Sequence, residues 1–206
     1  MLSIPEVKST WAESEAVVVA NKVCVGVDLI WLKSILLIVP PSDNNNSSVS
    51  AQVDFTSGID STYRIYMVDL VDVRPATNDT TLELRFFQGG TVDAGGVYDF
   101  VRDRVSTDSG LNNTAGTTEA NQIVLTFANN NSSNASLNGR IFIYDPSNTA
   151  IDTYARAMLT YHIDGDKVLM LDAAGRIEET AAVDGFRFFF SSGNIADGVF
   201  KLYGVT

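Results

Sequence analysis

A chain of 206 residues, 45% of them apolar and 19% charged, has the composition of one globular domain rather than of a disordered segment or a fusion of two enzymes. Its 14 Lys and Arg against 25 Asp and Glu leave a formal net charge of −11, which removes the positive field that would draw in nucleic acid. One cysteine, Cys24, and one histidine, His162, exclude an intrachain disulfide and a zinc site built from N and S ligands.

The chain opens MLSIPEVKSTWAESEAVVVANK, with acids ahead of its first apolar run, so no secretory signal is expected. The most apolar stretch, residues 23–39, is interrupted by Asp28 and Lys33. It falls short of the ~20 apolar residues that a bilayer span needs, and no membrane insertion is expected. Residues 1–30 carry more apolar surface than a free solvated tail would. Two readings follow for them: further strands of the same domain, or an N-terminal arm that docks on a neighbouring subunit.

From there on, apolar and polar residues alternate with period 2, with β-branched and aromatic side chains prominent, which is the pattern of antiparallel sheet. Strands are predicted at residues 35–39, 49–55, 63–73, 82–87, 96–105, 123–127, 140–144, 154–163, 167–172, 186–191 and 199–205. The connectors PPSDNNNSS (40–48), PATND (75–79), ANNNSSNASLNG (128–139), DPSNT (145–149) and DGD (164–166) supply residues tolerant of turn geometry. Spacing predicts a tight hairpin between Ile163 and Lys167, with Gly165 free to take a positive φ. Near the end, Phe186, Phe188 and Phe190 share one face against Arg187 and Phe189. Phe200 and Leu202 likewise oppose Lys201 and Tyr203, and the two strands read as a core hairpin pair. The prediction is all-β: a jelly-roll-like antiparallel β-sandwich over residues 31–206 with an N-terminal arm over 1–30.

Reactive groups are plentiful but scattered. His162 lies in an alternating strand, and Asp164 and Asp166 flank the hairpin glycine, so turn chemistry outweighs catalysis at all three. Asp69, Asp72, Asp93, Asp99, Asp103, Glu178, Glu179 and Asp184 could hold a glycosidase pair. Such a pair needs two carboxyls ~5 to 9.5 Å apart across a cleft. In an acidic chain these residues chiefly provide solubility. Calcium could draw on Asp164, Asp166 or the acids from Asp93 to Asp103, but the chain lacks the spaced D-x-D-x-D-G loop with its distal Glu. The segment QGGTVDAGG (88–96) precedes no helix that would meet a phosphate, and reads as a flexible loop. Trp11, Trp31, Tyr98, Tyr144, Tyr154 and Tyr203 offer flat faces for a sugar, weighed against burial in a core or subunit interface. Cys24, between valines, reads as a small buried hydrophobe. The N-x-S/T triplets at Asn45, Asn46, Asn78, Asn112, Asn130, Asn131 and Asn134 read as polar loop chemistry. No catalytic, cofactor-binding or metal-ligating residue is singled out.

The closing segment VDGFRFFFSSGNIADGVFKLYGVT, an aromatic strand, then SSGNI, then a strand ending LYG, resembles the C-terminal signature of virion structural proteins of tailed phages, especially marine and cyanobacterial ones. VDFTSGIDSTYRIYMVDLVDVRPATNDTTLELRFF resembles the earlier half of that family, and SLNGRIFIYDPSNT is similar to its middle hairpin. The likeness runs from about Trp31 to Thr206 and leaves the first thirty residues unmatched. It implies a non-enzymatic component of the virion with a β-sandwich core, displayed on the capsid or associated with the tail. The implied partners are copies of itself, a trimer being one form, and other virion proteins. The alternative is a carbohydrate-binding receptor-recognition module of a tail fibre, whose partner would be a host surface glycan. No catalytic residue transfers, and SSGNIADG itself reads as a structural turn in which Gly193 and Gly198 take unusual backbone angles.

Overall fold

A computed structural model of the chain describes residues 17–18, 33–39, 50–108, 113–163 and 167–205. Fourteen strands and no helix occur among them. In chain order they are β1 (Val17–Val18), β2 (Lys33–Val39), β3 (Gln52–Phe55), β4 (Ile65–Pro75), β5 (Leu82–Gln88), β6 (Thr91–Val92) and β7 (Tyr98–Ser106). There follow β8 (Asn113–Ala120), β9 (Ile123–Val124), β10 (Leu137–Tyr144), β11 (Thr153–Ile163), β12 (Lys167–Ile177), β13 (Val183–Phe190) and β14 (Ile195–Val205). All pairings are antiparallel and form two sheets. The long sheet runs β1-β2-β14-β4-β10-β11-β12-β7-β8, and the short one runs β3-β13-β5-β6, with β9 also on β5. Every predicted strand is present, and β1, β6 and β8 are additional.

Alternation decides which face each strand buries. In β11, Ala155, Ala157, Leu159 and Tyr161 are buried while Tyr154, Arg156, Met158 and Thr160 are exposed. Across the interior, rings from the two sheets meet edge to face or tilted, the geometry that aromatic quadrupoles favour. Tyr66 touches Phe186 (centroids 6.0 Å), Phe186 touches Phe86 (6.0 Å) and Phe86 touches Tyr98 (6.1 Å). A second series joins Phe55 to Phe188 (6.3 Å) and Phe188 to Phe200 (5.8 Å).

These contacts require the long sheet to curl. Strand β14 stands third along it and β7 eighth, so a flat sheet would hold them about 24 Å apart at ~4.8 Å per strand. Yet Phe200 of β14 and Tyr98 of β7 reach rings on β13 and β5, which are adjacent strands of the short sheet. The long sheet therefore wraps around the short one.

Bulges allow the curl. Registers shift between Leu137 and Gly139 in β10, where Asp72 of β4 takes φ +53°, and twice in β14 beside Gly198. Asn138 Oδ1 accepts the Asp72 N–H at 2.9 Å, so the bulged amide keeps a partner.

Two expectations are corrected, and two fall on residues outside those described. Strands β13 and β14 are not a hairpin pair: β13 lies between β3 and β5, and β14 lies between β2 and β4 in the other sheet. Alternation identified their buried faces correctly, since Phe186, Phe188, Phe200 and Leu202 are all buried, but it carries no information about which strand is the neighbour. The segment 88–96 is not a flexible loop at its start. Gly89 and Gly90 take φ +58° and +75°, closing a two-residue turn between β5 and β6, and the Gly90 N–H donates to Asp184 Oδ2 at 2.8 Å. The hairpin of β11 and β12 pairs directly from Thr153↔Ile177 to Ile163↔Lys167, as predicted. Its tip, with Asp164, Gly165 and Asp166, lies outside the described residues. So do residues 1–30 other than Val17 and Val18, which extend the long sheet through β2. The expected turn at SSGNIADG is present, with Gly193 at φ +71° and Gly198 at φ +129°.

Candidate functional site

The two outer faces of the sandwich are finished differently. On the short sheet, guanidinium groups cover the outward aromatics: Arg85 lies 4.9 Å from the Phe189 ring centre and Arg187 lies 5.1 Å from that of Phe87. Arg187 is itself held by Asp54 through bonds of 2.8 and 2.6 Å. Among the described residues, no guanidinium lies over an aromatic ring on the outer face of the long sheet. Eight large apolar side chains remain exposed among the described residues, and all but Ile151 stand on its outer face. They are Val101, Val105, Tyr144, Tyr154, Met158, Val168 and Met170, the last 63% accessible.

Register makes these residues neighbours. Met170 lies opposite Val105, Ala174 opposite Val101, and Tyr144 opposite Tyr154. The sheet-borne charges among them are matched within the face: Arg156 grips Asp172 at 3.0 and 2.5 Å, and Arg140 meets Asp69 at 3.3 Å. Asp103 accepts the Thr114 hydroxyl at 2.8 Å. Arg176 binds Asp99 (3.1 and 2.8 Å), Asp152 (2.7 Å) and Glu178. The Arg176 bonds hold the Asp99 carboxyl below the usual carboxylate range, and Asp99 in turn raises the arginine. Beside this hub, Tyr154, Phe100, Val101, Thr117, Thr118 and Ala174 line a shallow groove of about 600 Å³.

The interior end of β7 has a different chemistry. Arg102 and Arg104 point inward and flank the Phe127 ring at 4.2 and 4.3 Å, and Arg102 also donates to the Thr126 carbonyl. Burial lowers Arg102 and raises the nearby Glu83 carboxyl, each relieved in part by the other's charge. Thr126 Oγ1 accepts both the Leu82 N–H (2.7 Å) and the Asn129 amide (2.6 Å), tying the connector after β9 to β5. These groups close one end of the core.

Of the carboxylates weighed from sequence, Asp99 and Glu178 meet on one guanidinium, that of Arg176. Asp69, Asp99, Asp103 and Glu178 are engaged on the outer face as described, Asp184 receives the Gly90 amide, and Asp93 receives the Gly95 amide at 2.7 Å. Among the described residues no group of three or more His, Cys, Asp or Glu is placed to hold a metal. His162 sits near the end of β11 opposite Val168, and its carbonyl accepts the Asn130 N–H. Of the aromatics considered as sugar platforms, Tyr98 is in the core, where its hydroxyl accepts the Phe86 N–H (3.0 Å) and donates to the Asp93 carbonyl (3.1 Å). Tyr203 is half-buried, and Tyr144 and Tyr154 are open. Trp11, Trp31 and Cys24 lie outside the described residues.

The asparagines do act as loop chemistry. Asn131 donates to the Ala76 carbonyl (3.0 Å), Asn78 Oδ1 accepts the Asn131 N–H (3.3 Å) and Asn130 Oδ1 accepts the Ser132 N–H (2.6 Å). Asn45, Asn46 and Asn112 are outside the described residues.

The class defined by this architecture is an all-β antiparallel sandwich with one screened and one open outer face. Comparison with protein-family models, with curated proteins and with solved structures returned no match. No helix among the described residues is long and apolar enough to cross a membrane.

Proposed function

We propose that this protein is a non-enzymatic structural component of a tailed-phage virion, a jelly-roll-like sandwich displayed on the capsid or associated with the tail. Its role is to associate with copies of itself and with other virion proteins. The observation that carries this reading is the set of exposed Val, Met and Tyr side chains on the outer face of the long sheet. The resemblance supports it at the level of framework. FTSGIDSTY joins β3 to β4, with Ile59 buried and Tyr66 clasping the Asp60 backbone through bonds of 2.9 and 3.0 Å. SLNGRIFIYDPSNT contains β10, and the C-terminal signature contains β13 and β14, which contribute to both layers. Electron microscopy of phage particles assembled with a labelled copy tests the proposal. Label at repeated positions on the capsid or tail is expected, and label confined to unassembled protein would defeat it.

Glycan recognition at a tail-fibre tip is the second reading, favoured by Tyr144 and Tyr154 lying directly opposite one another on the open face beside the groove. It expects a defined set of hits on a glycan array that Tyr154→Ala reduces at least tenfold. An array without hits removes this reading and leaves the first intact.

A further inference from the structure

We propose that Arg102 and Arg104, side by side on the inner face of β7 where the core ends, form a binding site for one small oxyanion, a phosphate, sulfate or carboxylate group. The inference stands independently of the virion reading.

The arginines of this chain divide sharply by partner. There are nine, and six of them form ion pairs with carboxylates. The other three, Arg85, Arg102 and Arg104, all border the segment 121–127. Arg85 is satisfied there by the Asn121 carbonyl (3.1 Å) and by Gln122 Oε1 (2.9 Å). Arg102 makes one hydrogen bond, to the Thr126 carbonyl, and Arg104 makes none. In a chain with 25 Asp and Glu, two adjacent guanidiniums without a carboxylate reverse the local sign of charge.

Stacking leaves their donors unused. Both cations face the Phe127 ring, at 4.2 and 4.3 Å from its centre, a contact that engages the charge but none of the in-plane N–H groups. The two Nε atoms are enclosed without an acceptor, whereas the Arg104 Nη atoms make no hydrogen bond and are not enclosed. A planar fork of free N–H donors is the geometry that matches an oxyanion.

The nearest carboxylate does not fill this role. Glu83 acts on Arg102 through its charge but forms no ion pair with either arginine, and its Oε1 accepts the Thr81 hydroxyl at 2.9 Å instead. Arg102, Arg104 and Glu83 together carry an excess of one positive charge, which a single oxyanion removes. Such an ion would also relieve the repulsion that Arg104 exerts on Arg102. The surroundings are already fixed: the Phe127 N–H donates to the Tyr161 hydroxyl at 3.0 Å, and Thr126 Oγ1 is bonded from both Leu82 and Asn129. Little ordering is therefore left for the ligand to impose.

NMR of the arginine Nε–H groups in the full chain tests this, with inorganic phosphate and, separately, acetate added at constant ionic strength. Phosphate is expected to shift the Arg102 and Arg104 signals to saturation, with a dissociation constant on the order of 1 mM. A saturating response to acetate as well would extend the site to carboxylates, and its absence would restrict the site to tetrahedral ions. Arg104→Gln, followed at Arg102, should weaken phosphate binding at least tenfold. Arg104→Lys, which keeps the charge but loses the fork, should weaken it several-fold and serves where the glutamine variant does not fold. Arg64→Gln, whose side chain is 83% exposed and paired with Asp145, should leave binding unchanged. Thermal melting verifies each fold. Wild-type shifts that rise in proportion to phosphate without saturating would overturn the site, as would undiminished affinity in a folded Arg104 variant.

Discussion

Phe186→Ala is expected to lower the free energy of unfolding by about 3–5 kcal/mol, a large share of the stability of an ordinary domain. Phe186 is fully buried in the central strand of the short sheet and touches Tyr66 of the long sheet on one side and Phe86 of its own sheet on the other. Removing the ring leaves a cavity that neither neighbour can fill. Tyr66 is tied to the Asp60 backbone by its hydroxyl, and Phe86 is packed against Tyr98, whose hydroxyl is also bonded at both ends. Phe189→Ala provides the control, because that ring points outward under Arg85 and should cost no more than about 1–2 kcal/mol. Urea denaturation with an unchanged slope would report both values. Equal losses at the two positions would mean that the inner and outer faces of β13 are assigned wrongly.

That assignment was legible in the sequence because period-2 alternation is a local property. FRFFF names its buried face through Arg187, just as YARAMLTYHI pairs Arg156 with the exposed side. Strand neighbours are a different matter. The hairpin joining β11 to β12 was recoverable from loop length, whereas the turn after Phe190 is only one residue longer and yet crosses from one sheet to the other. Its crossing depends on long-range contacts: the Ile195 N–H donates to the Ser50 carbonyl and the Ala76 N–H to the Asn194 carbonyl, each at 2.8 Å. Strand β8, NTAGTTEA, escaped notice because it is an edge strand with mostly exposed side chains on both faces, so no alternation marks it.

The open face was harder to see for a physical reason. On β11 and β12, Tyr154, Met158 and Met170 stand outside among Arg156, Asp172 and Arg176, while Leu159, Tyr161, Leu169, Leu171 and Ile177 stand inside with the small Ala155, Ala157, Ala173 and Gly175. Ile123 of β9 presses so closely on this part of the inner layer that a Cβ at Gly175 would lie 2.8 Å from its Cγ2. Small residues are required there. In sequence Met158 and Met170 are apolar residues spaced among charged ones, and only the pairing of β12 with β11 and β7, which sets Met170 opposite Val105, gathers them on one face.

Close approach of the same kind governs the other large effect. Gly139→Ala is expected to destabilise the fold by about 3 kcal/mol or more, combining backbone strain with overpacking. Gly139 takes φ +141°, and a Cβ there would sit 2.2 Å from the Met158 carbonyl oxygen and 2.9 Å from the Leu159 Cα. Both are backbone atoms of β11, which cannot rotate aside as the end of a side chain would. Relief therefore means moving β10 off β11 or undoing the bulge opposite Asp72, and the second course releases the Asn138 bond to the Asp72 amide. Gly90→Ala separates the two contributions. It too has a positive φ, +75°, but nothing lies within 4 Å of its Cβ position, so only the left-handed strain of about 1–2 kcal/mol remains. Denaturation midpoints of the two variants should differ accordingly, and hydrogen exchange should show the Gly139 variant losing protection first along the β10–β11 pairing. If the two substitutions cost the same, contact with β11 would not be what reserves position 139 for glycine, and the bulge that turns the long sheet around the short one would need another cause.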